Sequence, residues 1–195
     1  HYSRLGSGIV SSNHNKVSFF RPAISTEIEE LYREIKALFH PMEIMPLPEF
    51  VAIHRKNPKS IWVVSELTVG PDGGCSEARI GFFEFFPLTD GASAQMNRGG
   101  KDGTTLRVAD ITTPSGAGNC YYIGGIGLFK DQPPRLRAVV LNAFYSFLHI
   151  VNMQKSLKLY TGPVTSDGMR LVKGKMFKKI GKKEDDMGAI WKLSV

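Results

Sequence analysis

The sequence predicts one domain of mixed α/β (α+β) class, with helices on both faces of a central sheet. Signals for strands and helices alternate along the chain, an order that favours a sheet covered by helices. The composition is 42% apolar and 22% charged, which is typical of a globular domain. A length of 195 residues is enough for one substantial core.

The elements of the first half begin with a strand signal at residues 16–21, KVSFFR. Apolar residues recur at helical spacing over residues 25–39, and a shorter helix is expected at residues 47–56. Two runs rich in β-branched and aromatic residues, 60–67 and 77–87, flank a PDGG turn and predict a hairpin.

A polar stretch over residues 88–118 follows, rich in Gly, Ser, Thr, Asn and Asp. We expect it to be a long loop on the substrate side, because loops of this length are uncommon in compact domains unless they are functional. Within it, residues 106–111 are expected to form a short strand or to line a pocket.

The second half contains the most apolar strand signal, residues 121–129, followed by Pro133 and Pro134 at a helix start. Apolar residues repeat every three to four positions through residues 135–151, which predicts a helix with one buried face. A strand at 157–160, a short helix near 168–173 and a hairpin of 177–181 with 189–193 complete the order. Residues 1–15 are expected to be disordered or derived from a tag, with the domain spanning residues 16–195.

Charge and cysteine content exclude several classes of function. The net charge is +7, but much of it lies in residues 173–183, which precede three acidic residues, so the pattern argues against nucleic-acid binding. Cys75 and Cys120 are expected to be free thiols, and the five histidines lack metal-ligand spacing, so no metal is predicted. No apolar run is long enough to span a membrane and no leader is apparent, so we expect a cytoplasmic protein without membrane contact.

Three phrases carry a resemblance to a known family: VSFFRPAISTEIEELYREI, NPKSIWVVSEL with RIGFFEFFPLT, and RLVKGKMFKKIGKKEDDMGAIWKL. Together with the order of elements, they resemble the GNAT superfamily of N-acetyltransferases over about residues 16–195. The resemblance implies a mixed, mostly antiparallel sheet of about six or seven strands. It also implies acetyl-CoA or another acyl-CoA as cosubstrate and an amine as acceptor.

The resemblance places the coenzyme at the fourth strand of the family and the helix after it. Backbone groups of the strand would pair with the pantetheine arm, and the helix start would receive the pyrophosphate, as expected for an anion at a helix N-terminus. The implied cofactor-binding residues are Ile126, Gly127, Leu128, Phe129, Arg135, Arg137, Ala138, Val139 and Val140.

The chain departs from the family pattern at two places. The pyrophosphate loop is read either from Gln132, which puts arginines at the glycine positions, or from Arg135, which puts Ala138 and Val140 there. We prefer the second register because Ala138 is small. Near the end, Val172 occupies the position of the family's acid tyrosine, and Met176 replaces a glycine.

Three residues are candidates for the chemistry of acyl transfer. Glu84 and Asp110 are alternative general bases for the amine, and Tyr122 is the neighbour of Tyr121 expected to reach the cleft. The resemblance implies an acyl-CoA-dependent N-acyltransferase that works by direct attack on the thioester. The alternative is a non-catalytic binding or regulatory module with a degenerate coenzyme site, and a homodimer is left open in either case.

Overall fold

The fold is seen in a computed structural model, which describes residues 8–13, 15–116, 118–153, 156–174, 177–180 and 189–194. One sheet of eight strands runs through the molecule in the order β1-β2-β3-β4-β5-β6-β8-β7. The strands are β1 Gly8–Asn13, β2 Lys16–Pro22, β3 Ile61–Val69, β4 Cys75–Pro87, β5 Cys120–Leu128, β6 Lys158–Thr161, β7 Lys178–Ile180 and β8 Ile190–Ser194. The helices are α1 Ile28–Lys36, α2 Leu47–Lys56, α3 Asp90–Asn97, α4 Arg137–Asn152 and α5 Ser166–Gly174.

The predicted fold is confirmed by this order of elements. Apart from β1 and α3, which the sequence did not indicate, a strand, two helices, a hairpin, a strand, a long helix, a strand, a helix and a final hairpin follow one another as predicted. All neighbouring strands are antiparallel except β5 and β6, which are parallel. The sheet has one more strand than expected because β1 forms at the edge, within residues 1–15, and pairs with β2.

The two faces of the sheet are covered by different helices. The first face packs against α1, α2 and α3, whose buried residues include Leu31, Phe50 and Met96. The opposite face packs against α4, and the predicted helical repeat is confirmed because Val140, Phe147 and other members of it are buried there. Successive residues of each strand therefore point into the two cores on opposite faces of the sheet.

The polar stretch over residues 88–118 is more ordered than expected. It contains α3, which begins where the Thr89 hydroxyl accepts a hydrogen bond from the Ala92 amide at 3.2 Å. The segment 106–111 is a 3₁₀ turn, Val108–Asp110, rather than a strand, and Ile111 makes an isolated bridge to Leu88. Both ends of this segment are anchored in the core, because Leu106 and Ile111 are fully buried.

The pairing of β5 with β6 is short. Cys120 to Ile123 pair with Lys158 to Thr161, and β6 then ends, whereas β5 continues to Leu128. The remaining half of β5 pairs with β4 alone among the described strands. The sheet therefore opens beside residues 124–128, close to the start of α4.

Candidate active site

A cavity of about 280 Å³ lies where β5 separates from β6, on the sheet face covered by α1 and α2. Its walls come from α1, from the segment that joins α1 to α2, from the 3₁₀ turn Gly103–Thr105 and from the facing residues of β4 and β5. Apolar side chains form most of the wall, and a few polar groups converge on the floor, as in many small-molecule sites. The lining residues central to the chemistry are Glu84, Asp102, Tyr122, Gly124, Gly125 and Gly162.

The Glu84 carboxyl lies at the floor of this cavity. In β4, Phe83 pairs with Ile126 and Phe85 pairs with Ile123, so Glu84 lies opposite two residues of β5 rather than one. This β-bulge turns the local backbone so that the Gly125 amide donates to Glu84 Oε2 at 2.7 Å. Burial raises the pKa of Glu84 to about 7, although the hydrogen bond from Gly125 opposes the rise.

Glycine is required at position 124 by this carboxyl. A Cβ atom at Gly124 would overlap Glu84 Oε2 and would also approach the ring of Phe86 to 2.8 Å. The absence of a side chain there opens the floor of the cavity. The glycines of the apolar run CYYIGGIGL thus give space to a functional group.

Tyr122 is the tyrosine of the pair that reaches the cavity. It precedes Gly124 by two residues and so shares its face of β5. Burial raises the pKa of Tyr122, and the negative charge of Asp102 adds to the rise, whereas hydrogen bonds from the backbone of Gly103 and Gly162 oppose it. The hydroxyl is therefore protonated at neutral pH and has a proton to donate.

Tyr121 points to the opposite face, as the alternation of the strand requires. Its ring stacks on Phe85 with centroids 4.4 Å apart, and its hydroxyl donates to the Gly118 carbonyl at 3.2 Å. It is a core residue of the face covered by α4.

Asp110, the other candidate base, is engaged elsewhere. Its Oδ2 atom accepts from Lys101 Nζ at 2.5 Å and from the Arg107 amide at 2.8 Å. Asp110 is not among the residues that line the cavity. Of the two candidate bases, Glu84 therefore has the position beside Tyr122.

Asp102 is a cavity residue that the sequence analysis missed. It caps the 3₁₀ turn Gly103–Thr105, with Oδ1 accepting from the Thr104 amide at 3.0 Å and the Thr105 amide at 3.1 Å. The signal was present in the sequence, because DGTT has the Asp and Thr spacing of a capping box. Its position beside Tyr122 depends on the fold and was not visible in the pattern.

The start of α4 is open, but it offers few amide donors. Pro133 and Pro134 have no N–H group, while the Leu136 and Arg137 amides already donate to the carbonyls of Pro133 and Pro134. The side chains of Arg135, Arg137 and Ala138 are exposed. The start of this helix therefore presents two exposed guanidinium groups and few free backbone donors.

The other residues assigned to the coenzyme lie on both sides of the opening. Val140 is buried in the core against Gly81, so its side chain faces the sheet rather than a ligand, and Val139 is half-buried beside it. Ile126 and Leu128 pack on the α4 side of β5, while Gly127 lies next to Phe82. The Phe129 amide donates to the Ile80 carbonyl at 3.1 Å, which commits one of the predicted backbone groups to the fold.

The position expected to hold an acid tyrosine is apolar. Val172 is buried against Ala189 and Trp191 in a small core between α5 and β8. Met176, the other departure from the family pattern, lies outside the described residues, as do the acidic residues that follow the basic run.

None of the described histidines and cysteines lines the cavity. No group of three or more metal-ligating side chains occurs among the described residues. Cys75 is exposed and Cys120 is buried, and both are free thiols. His54 is buried with its Nε2 atom 2.9 Å from the Ala23 carbonyl oxygen, and burial lowers its pKa.

Three solved structures share the overall arrangement at low identity. Ard1 from Thermoplasma volcanium is 14% identical, with 91% of this chain and 97% of that chain covered and a TM-score of 0.48. A protein described as an acetyltransferase is 14% identical, with coverages of 90% and 96% and a TM-score of 0.46. A probable GNAT-family acetyltransferase from Chromobacterium violaceum is 9% identical, with coverages of 95% and 90% and a TM-score of 0.41.

These similarities are weak, and the sequence matches no protein-family model and no curated protein. The description of the fold as a mostly antiparallel sheet covered by helices depends on the chain's own element order and strand order. Across the described ranges, no helix is long and apolar enough to cross a membrane.

Proposed function

We propose that the protein is an acyl-CoA-dependent N-acyltransferase that transfers an acetyl or related acyl group to an amine. The observation that carries the proposal is the placement of the buried Glu84 carboxyl and the Tyr122 hydroxyl on one cavity floor, where β5 separates from β6. A carboxylate whose pKa is about 7 is a stronger base than an ordinary glutamate, and it is still partly ionised at neutral pH.

In the proposed reaction, Glu84 takes one proton from the bound ammonium group of the acceptor. The free amine then attacks the carbonyl carbon of the thioester, and a C–N bond forms as the C–S bond breaks. The products are the amide, the coenzyme A thiol and the proton held by Glu84, which is released to water. Attack develops negative charge first on the carbonyl oxygen and then on the sulfur.

Tyr122 serves in this scheme as a hydrogen-bond donor to the developing charge. Its pKa is raised by burial, so complete transfer of its proton to a thiolate would be uphill. Donation without transfer stabilises the transition state and leaves the tyrosine protonated. The second proton that the nitrogen loses as the amide forms then neutralises the thiolate, directly or through solvent.

The acyl donor is assigned to the opening beside residues 124–128. Backbone groups of Ile126 to Leu128 on the β6 side would pair with the amides of the pantetheine arm. Phe129 would support the end of β5 instead, because its ring is buried on Phe82 and its carbonyl accepts from the Gln132 amide at 3.0 Å. Arg135 and Arg137 would neutralise the pyrophosphate from their exposed positions at the start of α4. The small side chain of Ala138 would allow the pyrophosphate to come close to the helix. Val139 and Val140 would anchor the start of α4 to the sheet.

Calorimetric titration with acetyl-CoA and with coenzyme A tests the assignment of the donor. Binding with a Kd of about 100 µM or tighter is expected, and no heat at millimolar ligand would contradict both the binding and the enzyme proposals. Turnover assays then compare Glu84→Gln with Asp110→Asn. We expect a loss of about 100-fold for the first variant and little change for the second, because one candidate base lies in the cavity and the other is held by Lys101.

A second candidate is a non-catalytic GNAT-like module with a degenerate coenzyme site. It is favoured by the two prolines at the start of α4 and by the buried Val172. Replacing Val140 by glycine is a poor test because that side chain belongs to the core. Pro134→Ala is better, since it adds one amide donor without emptying the core.

The result separates the two candidates by coenzyme affinity. A gain of about tenfold or more in a weak binder would point to a decayed site. An unchanged Kd in a protein that already binds tightly would favour a working variant. A cytoplasmic location and a homodimer remain predictions from the sequence.

A further inference from the structure

The charged groups of the cavity are all acidic. Glu43, Glu84 and Asp102 contribute carboxyls to its lining, and none of the residues that line it is a lysine or an arginine. Lys101, the sequence neighbour of Asp102, is paired with Asp110 rather than with a cavity carboxyl. The field inside the cavity therefore favours a cation and opposes an anion.

Two of these carboxyls have an oxygen atom available to a ligand. Glu84 is more than nine-tenths buried, and Oε2 takes the only hydrogen bond that it makes among the described residues, from Gly125. Asp102 uses Oδ1 for the Thr104 and Thr105 amides and for the Thr104 hydroxyl. Oδ2 takes part in no hydrogen bond among the described residues, so the capping turn holds this carboxylate in a fixed place with one oxygen free.

Glu43 contributes charge but less freedom. Its Oε2 atom accepts from the His40 amide at 3.0 Å, and its side chain lies on the exposed segment between α1 and α2. It therefore adds to the field at the mouth rather than to a contact at the floor. Asp102 is the carboxylate beside Tyr122, because both line the cavity and a Cβ atom at its neighbour Gly103 would overlap the Tyr122 hydroxyl oxygen.

The remaining wall is apolar and aromatic. Phe39, Phe50 and Phe86 line the cavity, and Tyr32 joins them with its hydroxyl already donating to the Met45 carbonyl at 2.9 Å. A dry apolar cavity of roughly 150 Å³ holds one benzene ring. The volume of about 280 Å³ here therefore accommodates one ring or a short aliphatic body together with an amine arm.

We propose that the acceptor site selects a small cationic primary amine with an apolar body and no carboxylate, and that Asp102 sets this specificity. The proposal rests on the acyltransferase function proposed above and names its substrate class. Asp102 and Glu84 flank the ammonium group, and the aromatic wall takes the apolar body. A free amino acid is rejected because its carboxylate would be buried among three carboxyls without a cation to pair with it.

Direct binding in the absence of any acyl donor tests the specificity. Calorimetric titration at pH 8 uses three ligands that share a benzene ring and a two-carbon arm: 2-phenylethylamine, phenylalanine and 2-phenylethanol. We expect the amine to bind about tenfold or more tightly than either of the others, since one lacks the cation and the other carries the carboxylate. Equal affinities for the amine and the amino acid would overturn the proposal, as would no binding of the amine at millimolar concentration.

The role of Asp102 is tested by Asp102→Asn, which retains Oδ1 as the acceptor for the capping turn. We expect the affinity for 2-phenylethylamine to fall about tenfold, while the affinity for 2-phenylethanol stays the same. Asp72→Asn is the matched control, because Asp72 also caps a turn with Oδ1, accepting from the Gly74 amide, but lies in the hairpin away from the cavity. An unchanged amine affinity in Asp102→Asn, or an equal loss in Asp72→Asn, would overturn the assignment.

Failure of the proposed function has a different signature. If 2-phenylethylamine binds selectively but is never acylated in the presence of acetyl-CoA, the transferase proposal fails while the ligand class stands. If acetyl-CoA is consumed with amino acids as readily as with 2-phenylethylamine, the transferase proposal stands and the specificity proposal fails.

Discussion

The two faces of the sheet are built in opposite ways. On the face covered by α4, rings from β2, β3, β4 and the helix pack against one another in tilted, stacked and edge-to-face pairs. The Phe147 ring lies 4.6, 5.1 and 4.9 Å, between centroids, from the rings of Trp62, Phe83 and Phe85. On the face covered by α1 and α2, a cavity remains and a buried carboxyl borders it.

The difference separates stability from chemistry. A filled aromatic core gains from burial and from favourable ring geometry, and its polar groups on Tyr121 and Trp62 donate to the backbone carbonyls of Gly118 and Lys59. A buried carboxyl with a raised pKa destabilises the folded protein whenever it is charged. We infer that the face covered by α4 compensates for a site on the other face that is unfavourable for folding.

The largest effect is expected from emptying the filled face. Phe147→Ala should lower the free energy of unfolding by about 4 kcal/mol, because a fully buried ring is removed from a core that cannot collapse around the gap. Urea unfolding followed by circular dichroism measures the change. Ile150→Ala, at a half-exposed position of the same helix, should change stability by less than about 0.5 kcal/mol.

Phe147→Leu keeps the test usable if the alanine variant does not fold, and a loss of about 1 to 2 kcal/mol is expected for it. If the Phe147 variants lose as little stability as Ile150→Ala, the core on the face covered by α4 is not the main source of stability.

The second effect, expected on replacing Glu84, is a gain in stability rather than a loss, and it depends on pH. The pKa of Glu84 is about 7 in the folded protein against an ordinary value of 4.5, so the folded state binds the proton more tightly. The contribution of Glu84 to the stability of the wild type is therefore most favourable below pH 4.5. The wild type loses about 3 kcal/mol of stability as the pH rises from 4.5 to about 7.

Glu84→Gln should be more stable than the wild type by up to that amount at pH 8 and should lose the advantage by about pH 4.5. The glutamine still offers an oxygen to the Gly125 amide. Urea unfolding at several pH values measures the difference, and Glu29→Gln at an exposed position provides the control. A difference that does not vary with pH would contradict the assigned burial of the charge.

The third effect concerns the bulge between the strands. Gly124→Ala should destabilise the protein by about 2 kcal/mol, because the new methyl group overlaps the Glu84 carboxyl and approaches Phe86. Gly91→Ala is the control, since Gly91 lies in α3 with open space around it, and a gain of about 0.5 to 1 kcal/mol is expected there. Thermal melts of the two variants at pH 7 give the signs, and equal signs would contradict the close contact.

The smallest effect distinguishes the two neighbouring tyrosines. Tyr122→Phe should lower kcat/KM of the folded enzyme about tenfold, because one hydrogen bond to developing charge is removed from the cavity side. It should also cost about 1 kcal/mol of stability, because the backbone donors of Gly103 and Gly162 lose their acceptor. Tyr121→Phe, on the filled face, should leave turnover per folded molecule unchanged. A steady-state assay of amide formation with acetyl-CoA measures both, and similar losses would place the tyrosines in equivalent roles.

The sequence was informative about elements whose signals are local. The apolar repeat predicted α4 and the apolar run predicted β5, because a buried helix face and a buried strand each leave a characteristic spacing of apolar residues in the sequence. Helix α3 was missed because few of its residues are apolar and it lies inside a polar stretch, although Thr89 marked its start.

The site was less accessible to sequence reasoning because its geometry is set by pairing between distant strands. The choice of Glu84 over Asp110 depends on which residue faces the bulge in β5, and the role of Asp102 depends on where its turn lies against β5. Val140 matched the loop pattern in sequence, but its position on α4 points it into the core against Gly81. These assignments require knowledge of which faces of β4, β5 and α4 lie against one another.

The four-residue pairing between β5 and β6 also makes β5 a natural reporter for labelling in heavy water. Amide protons of residues 120–123 are enclosed by strands on both sides and should exchange over hours, whereas those of residues 124–128 that face away from β4 should exchange far sooner. A molecule that adds its own hydrogen bonds to that uncovered stretch would slow them selectively. Mass spectrometry of one short peptide would then follow occupancy of the opening without any chemical turnover.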